Sequence, residues 1–214
     1  MTRTPDDFFT RRCLIAALAA LTAAPAWAAS PKVVTLLGDS ITAGLGLPAA
    51  QALPAQLQAE LDRRGKGVKV RGAGVSGDTT ADGLRRLDFS VKKDTAVAVV
   101  ALGGNDLLQG LEPAAVRANL EKIVRKLQAR KITVVLAGVR APETLGGDYA
   151  REFNAVMAAA GRMKGVIYLP NLLEGVSGKR ALNQRDGIHP NAAGAKVIAR
   201  RLAPLVVKAL AVHR

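Results

Sequence analysis

At 214 residues with a formal net charge of +14, the chain is long enough for one substantial core and too short for two ordinary enzyme domains. Hydrophobic residues make up 49% of it, and it has no acidic, glutamine-rich or serine-rich tract, which excludes a disordered chain. One cysteine, Cys13, excludes a disulfide framework.

Arg11 and Arg12 precede an apolar run from Leu14 to Ala24, followed by Pro25 and the small-residue pattern Ala26-Trp27-Ala28. That is the pattern of a cleavable export signal over 1–28, leaving 29–214 as one domain. The paired arginines fit a twin-arginine route as well as an ordinary secretory one. The run is shorter than the roughly 20 residues that span a bilayer, so the mature chain is expected to be soluble, periplasmic or secreted. Cys13 and Trp27 would leave with the signal.

Beyond it, short β-branched runs alternate with longer amphipathic stretches, the pattern of a parallel sheet covered by helices. Strands are predicted at Val33–Leu37, Val68–Arg71, Ala96–Leu102, Ile132–Ala137 and Val166–Leu169, read from the order of residues. Helices are predicted at Leu53–Arg64, Thr79–Leu87, Pro113–Arg130, Tyr149–Met163 and Ala192–Leu210. In the third of these, Leu120, Ile123, Val124 and Leu127 share one face while Glu121, Lys122, Arg125 and Lys126 fill the other, so the apolar stripe is core.

Removing three arginines and two aspartates with the signal leaves 28 basic and 15 acidic side chains. The basic residues come as scattered pairs, and Phe89, Tyr149, Phe153 and Tyr168 are the only aromatics left for stacking. This argues against specific nucleic-acid binding. It fits a solvated basic surface able to contact anionic envelope polymers or lipids.

Polar or glycine-rich turns follow four of the strands, at the edge of a parallel sheet where ligands bind. The first strand runs into Gly38-Asp39-Ser40, the second into a turn containing Gly77-Asp78, and the third into Gly103-Gly104-Asn105-Asp106. After the fifth comes Asp186-Gly187-Ile188-His189-Pro190. A serine hydroxyl needs a base, and His189 is one of two histidines, the other being His213 in an expected frayed tail. Asp186, three residues earlier, can orient the imidazole; alternatively it caps the helix after Pro190. The N–H groups of Ser40 and Gly77 and the Asn105 amide can supply an oxyanion hole. Read singly, Gly77 is also an ordinary turn glycine and Asn105 an Asx turn.

Taken jointly, Leu37-Gly38-Asp39-Ser40, Val75-Ser76-Gly77-Asp78-Thr79, Leu102-Gly103-Gly104-Asn105-Asp106 and Asp186-Gly187-Ile188-His189-Pro190-Asn191 resemble the four motifs of the SGNH/GDSL hydrolase family. The resemblance runs over the whole mature chain and is greatest to the exported thioesterase/arylesterase/lysophospholipase branch. It implies a flavodoxin-like three-layer α/β/α sandwich with a five-stranded parallel sheet. It also implies a triad of Ser40, His189 and Asp186 and an oxyanion hole of Ser40, Gly77 and Asn105, with no cofactor and no metal. The expected substrates are small acyl or aryl esters or thioesters, with lysophospholipids a further candidate, and the expected state is a monomer. Carbohydrate O-deacetylation and non-catalytic binding of anionic glycans or lipids are the competing readings. The loop Val139–Asp148 reads Ala141-Pro142-Glu143-Thr144-Leu145-Gly146-Gly147 where relatives often carry Asn-Tyr-Gly, which implies a mobile, less capped pocket.

Overall fold

A computed structural model describes residues 31–213; the expected signal, with Cys13 and Trp27, lies outside them. Five strands, β1 (Lys32–Gly38), β2 (Val68–Gly74), β3 (Thr95–Ala101), β4 (Thr133–Ala137) and β5 (Val166–Leu169), pair in the order β2-β1-β3-β4-β5, all parallel. The chain leaves β1 toward β2 on one side and returns to β3 on the other. The turns after β1 and β3 therefore flank the point where strand order reverses, the usual crevice of an open parallel sheet.

Every residue of β3 is buried, and its alternate side chains feed two cores because successive residues of a strand point to opposite faces. Val97 and Val99 join a core with Leu57 and Leu61 of α2 (Leu53–Arg63) and Ile198 and Leu202 of α8 (Ala192–Val212). Ala98 and Val100 join the other, with Leu120, Ile123 and Leu127 of α6 (Pro113–Ala129) and Phe153 and Met157 of α7 (Gly147–Gly161). Leu57, Leu61, Ile123 and Phe153 are wholly buried, and such side chains each stabilise the fold by about 1.5–3 kcal/mol. The predicted three-layer sandwich is thus observed.

Two local expectations change. The stretch expected as one helix over Thr79–Leu87 is α3 (Thr80–Arg85) followed by α4 (Leu87–Ser90), separated at Arg86. His213, expected in a frayed tail, caps the end of α8, with Nδ1 3.5 Å from Thr133 Oγ1. Burial and the nearby Lys32 ammonium hold its imidazole below the ordinary value. No helix among the described residues is long and apolar enough to cross a membrane.

Candidate active site

The site starts where β1 ends. Asp39 accepts a 3.0 Å hydrogen bond from the Ile41 N–H and so caps α1 (Ser40–Ala43), whose first residue is Ser40. The short helix packs against the end of β2. A Cβ on Gly74 would lie 2.3 Å from the Ala43 nitrogen, so only glycine lets the two backbones approach this closely.

Ser40 Oγ is 2.9 Å from His189 Nε2, and His189 Nδ1 is 2.7 Å from Asp186 Oδ2. The other Asp186 oxygen accepts from the N–H groups of Ile188 (2.9 Å) and His189 (3.0 Å). The His189 N–H, its imidazole and the Ile188 N–H lower the Asp186 carboxyl to about 2, so it is ionised at any working pH. The cap of α8 is Asn191, which accepts from Ala193 and Gly194. Of the two contacts open to Asp186 from its spacing, the one observed is with the imidazole.

Gly77 is exposed with φ +86, a left-handed conformation that favours glycine, and nothing lies within 4 Å of where its Cβ would be. Neither its N–H nor that of Ser40 makes a hydrogen bond among the described residues. Asn105 sits in the first turn of α5 (Gly104–Leu108), and its amide donates one hydrogen bond of 2.9 Å to the Asp78 carbonyl. One amide N–H of Asn105 stays available, because a side-chain amide carries two.

Two further residues, Arg86 and Asp106, hold these turns together, and the sequence reading assigned neither a role. Arg86 donates to Gly38 O (2.8 Å), Ala73 O (2.9 Å), Ser90 Oγ (2.9 Å) and Asp78 Oδ2 (2.5 Å). One guanidinium thereby ties the ends of β1 and β2 to the turn carrying Gly77, a use of its planar fork that an ammonium cannot copy. Asp106 is buried and accepts from the Thr80 N–H (2.9 Å) and Oγ1 (2.6 Å), joining the third motif to the start of α3, directly after the second. Asp39 is buried too, and desolvation raises its carboxyl to about 6 despite the Ile41 hydrogen bond and the influence of His189. The motif block Gly-Asp-Thr followed by an Arg-Arg pair was the available signal for Arg86, but its partners lie up to 48 residues away.

Beside Asp39 and Ile41 opens a cavity of about 100 Å³, bordered by Gly104, Val139, Arg140 and Leu172. The loop 139–148 is anchored at its base: Ala141 exchanges hydrogen bonds of 2.9 and 3.0 Å with the Asn154 side chain. Of its two glycines, only Gly146 takes a left-handed conformation, where the chain turns into α7.

Residues 36–197 match the model of the GDSL-like lipase/acylhydrolase family. The chain is 38% identical over 163 residues to esterase TesA of Pseudomonas aeruginosa, covering 76% of this chain and 81% of that protein. It is 34% identical over 184 residues to thioesterase 1/protease 1/lysophospholipase L1 of Escherichia coli K12, covering 84% and 87%. A crystal structure of TesA superposes with a TM-score of 0.78 at 36% identity, over 83% of this chain and 99% of the other. AlinE4, an SGNH-hydrolase family esterase, gives 0.70 at 41% over 84% and 97%. This chain belongs to the GDSL-like lipase/acylhydrolase family.

Proposed function

We propose that the protein hydrolyses carboxylic esters and thioesters through an acyl intermediate on Ser40. The observation that carries this is the unbroken relay from Asp186 through His189 to Ser40, with links of 2.7 and 2.9 Å. His189 Nε2 takes the Ser40 proton as Oγ attacks the acyl carbon. The ionised Asp186 holds the imidazole in the required tautomer and stabilises the imidazolium. The oxyanion forms where the free N–H groups of Ser40, Gly77 and Asn105 can donate to it. As the tetrahedral species collapses, His189 passes its proton to the leaving alcohol or thiol. Water, activated by the same imidazole, then releases the acid.

Short acyl or aryl esters are the substrates this site supports best. The cavity next to the serine, which Asp39 and Ile41 line but Ser40 and His189 do not, holds about 100 Å³, against the roughly 300–1,000 Å³ of pockets that enclose ligands of drug size. Hydrolysis of p-nitrophenyl esters of graded chain length tests this reading: kcat/KM should be highest at short chains, and a maximum at about twelve carbons or more would contradict it. The signal over 1–28 belongs to the same proposal. A periplasmic protein cut after Ala28 lacks Trp27, the only tryptophan, so isolated mature protein should show no tryptophan emission. Emission from periplasmic material would refute cleavage at that point.

A further inference from the structure

Part of the basic charge that is scattered in sequence converges in space. In a parallel sheet every helix-to-strand connection returns to the amino edge, opposite the candidate active site. Connection 64–67 brings Arg64 and Lys66 there, and 91–94 brings Lys92 and Lys93. The next two bring Arg130 with Lys131 and Arg162 with Lys164. These four connections hold eight basic residues and one acidic, Asp94, which is paired with Arg71. Arg64 pairs with Glu60 and Arg130 with Asp88, but the other six form no ion pair among the described residues and are exposed.

Helix C-termini favour a cation through the helix dipole, which accounts for one basic residue per helix end rather than two. Lys131 also occupies a left-handed conformation, φ 60, where the ends of α2 and α7 have Gly65 (φ 63) and Gly165 (φ 80). A lysine is kept where glycine is the less strained residue. Amid these charges stands Phe89, 76% exposed, with the Lys92 ammonium 4.3 Å from its ring centre. An exposed aromatic with an ammonium against its ring suits a surface that is anionic at its face and apolar just beneath.

We propose that the amino edge of the sheet docks on an anionic phospholipid bilayer, with Phe89 entering the headgroup region and the site at the opposite edge turned away from the membrane. Each Lys or Arg near such a surface is worth roughly a factor of five in affinity. The test is co-sedimentation of the purified protein with vesicles of mixed phosphatidylglycerol and phosphatidylcholine, and of phosphatidylcholine alone. Binding should require the anionic lipid and collapse between about 0.1 and 1 M salt, as the screening length falls from about 10 to 3 Å. Replacing Lys66, Lys93, Arg162 and Lys164 together by Gln should weaken it about 10²- to 10³-fold. Hydrolysis of a water-soluble p-nitrophenyl ester should stay within about twofold, since none of the four nears the site. Four matched replacements at the other edge, of Arg140, Lys179, Arg180 and Arg185, should weaken vesicle binding by less than about threefold. Lys131→Gly should raise Tm while weakening binding. Phe89→Ser should weaken vesicle binding and leave binding to dextran sulfate unchanged. Equal losses from the two sets of four, equal binding to neutral vesicles, or binding to dextran sulfate without binding to vesicles would each overturn the proposal, the last making a polyanion the partner.

Discussion

Five strands end among Ser40, Gly77, Asn105 and His189 and begin among four pairs of lysine and arginine. The connections at the carboxyl edge hold four basic and seven acidic residues, and those at the amino edge eight basic and one acidic. Exposed apolar side chains divide as well. Leu45, Val75, Leu108, Leu145 and Ile188 lie in carboxyl-edge segments, while Phe89 and Val212 lie toward the amino edge. A parallel sheet separates the two populations because helix starts gather at one edge and helix ends at the other. Chemistry that needs backbone N–H groups belongs at the starts, and surplus cations are tolerated at the ends.

The comparison breaks most visibly at the serine. Ser40→Ala and His189→Ala should each reduce kcat by about 10⁴-fold or more, since members of such a relay act as a unit. Circular dichroism should show both variants folded, and near-normal turnover in either would remove the assignment. Asn105→Ala should lower kcat by about 10²- to 10³-fold with KM little changed, as for loss of one oxyanion donor; an effect on KM alone would make the amide a ground-state binding group.

Arg86→Lys sharpens the contrast between a cation that builds the site and cations that only face solvent. It should lower kcat about tenfold, because an ammonium cannot reach four partners on β1, β2, α4 and the Gly77 turn. Unchanged kcat with only a lower Tm would restrict Arg86 to stability.

The smallest effect concerns pH. Beside the catalytic base, burial pushes the Asp39 carboxyl up to about 6, so a second group contributes to the acid limb of kcat/KM. Because its folded value is raised, Asp39 favours the folded state while protonated, and that contribution is lost as pH rises from its unfolded value through about 6. Asp39→Asn retains an oxygen for the Ile41 cap. It should flatten Tm between about pH 4 and 6 and reduce the acid limb of kcat/KM to one ionisation. An unaltered profile would show that Asp39 does not titrate in that window.

Much of this was legible in the sequence because it is local. Val97, Val99, Val134 and Val135 lie in β-branched runs that fit only strands, and Pro113 marks a helix start. Asp186 and His189 sit within one turn, so their contact follows from spacing. Arg86, Asp39 and the amino edge were not legible, for a different reason. The four partners of Arg86 belong to separate segments, the burial of Asp39 depends on the close approach of Gly104 from the turn after β3, and the basic residues of the amino edge meet only through the strand order β2-β1-β3-β4-β5. Each is set by tertiary placement, on which periodicity is silent.

The central claim is that Ser40 is the nucleophile, and covalent trapping tests it most directly. Intact protein treated with a p-nitrophenyl alkylphosphonate should gain one phosphonyl group, located on Ser40 by peptide mass spectrometry. The gain should be absent in Ser40→Ala and slowed by about 10²-fold or more in His189→Ala, since the imidazole activates the hydroxyl. Modification of Ser76 or Thr79 instead, or unchanged labelling of the Ser40→Ala protein, would contradict it.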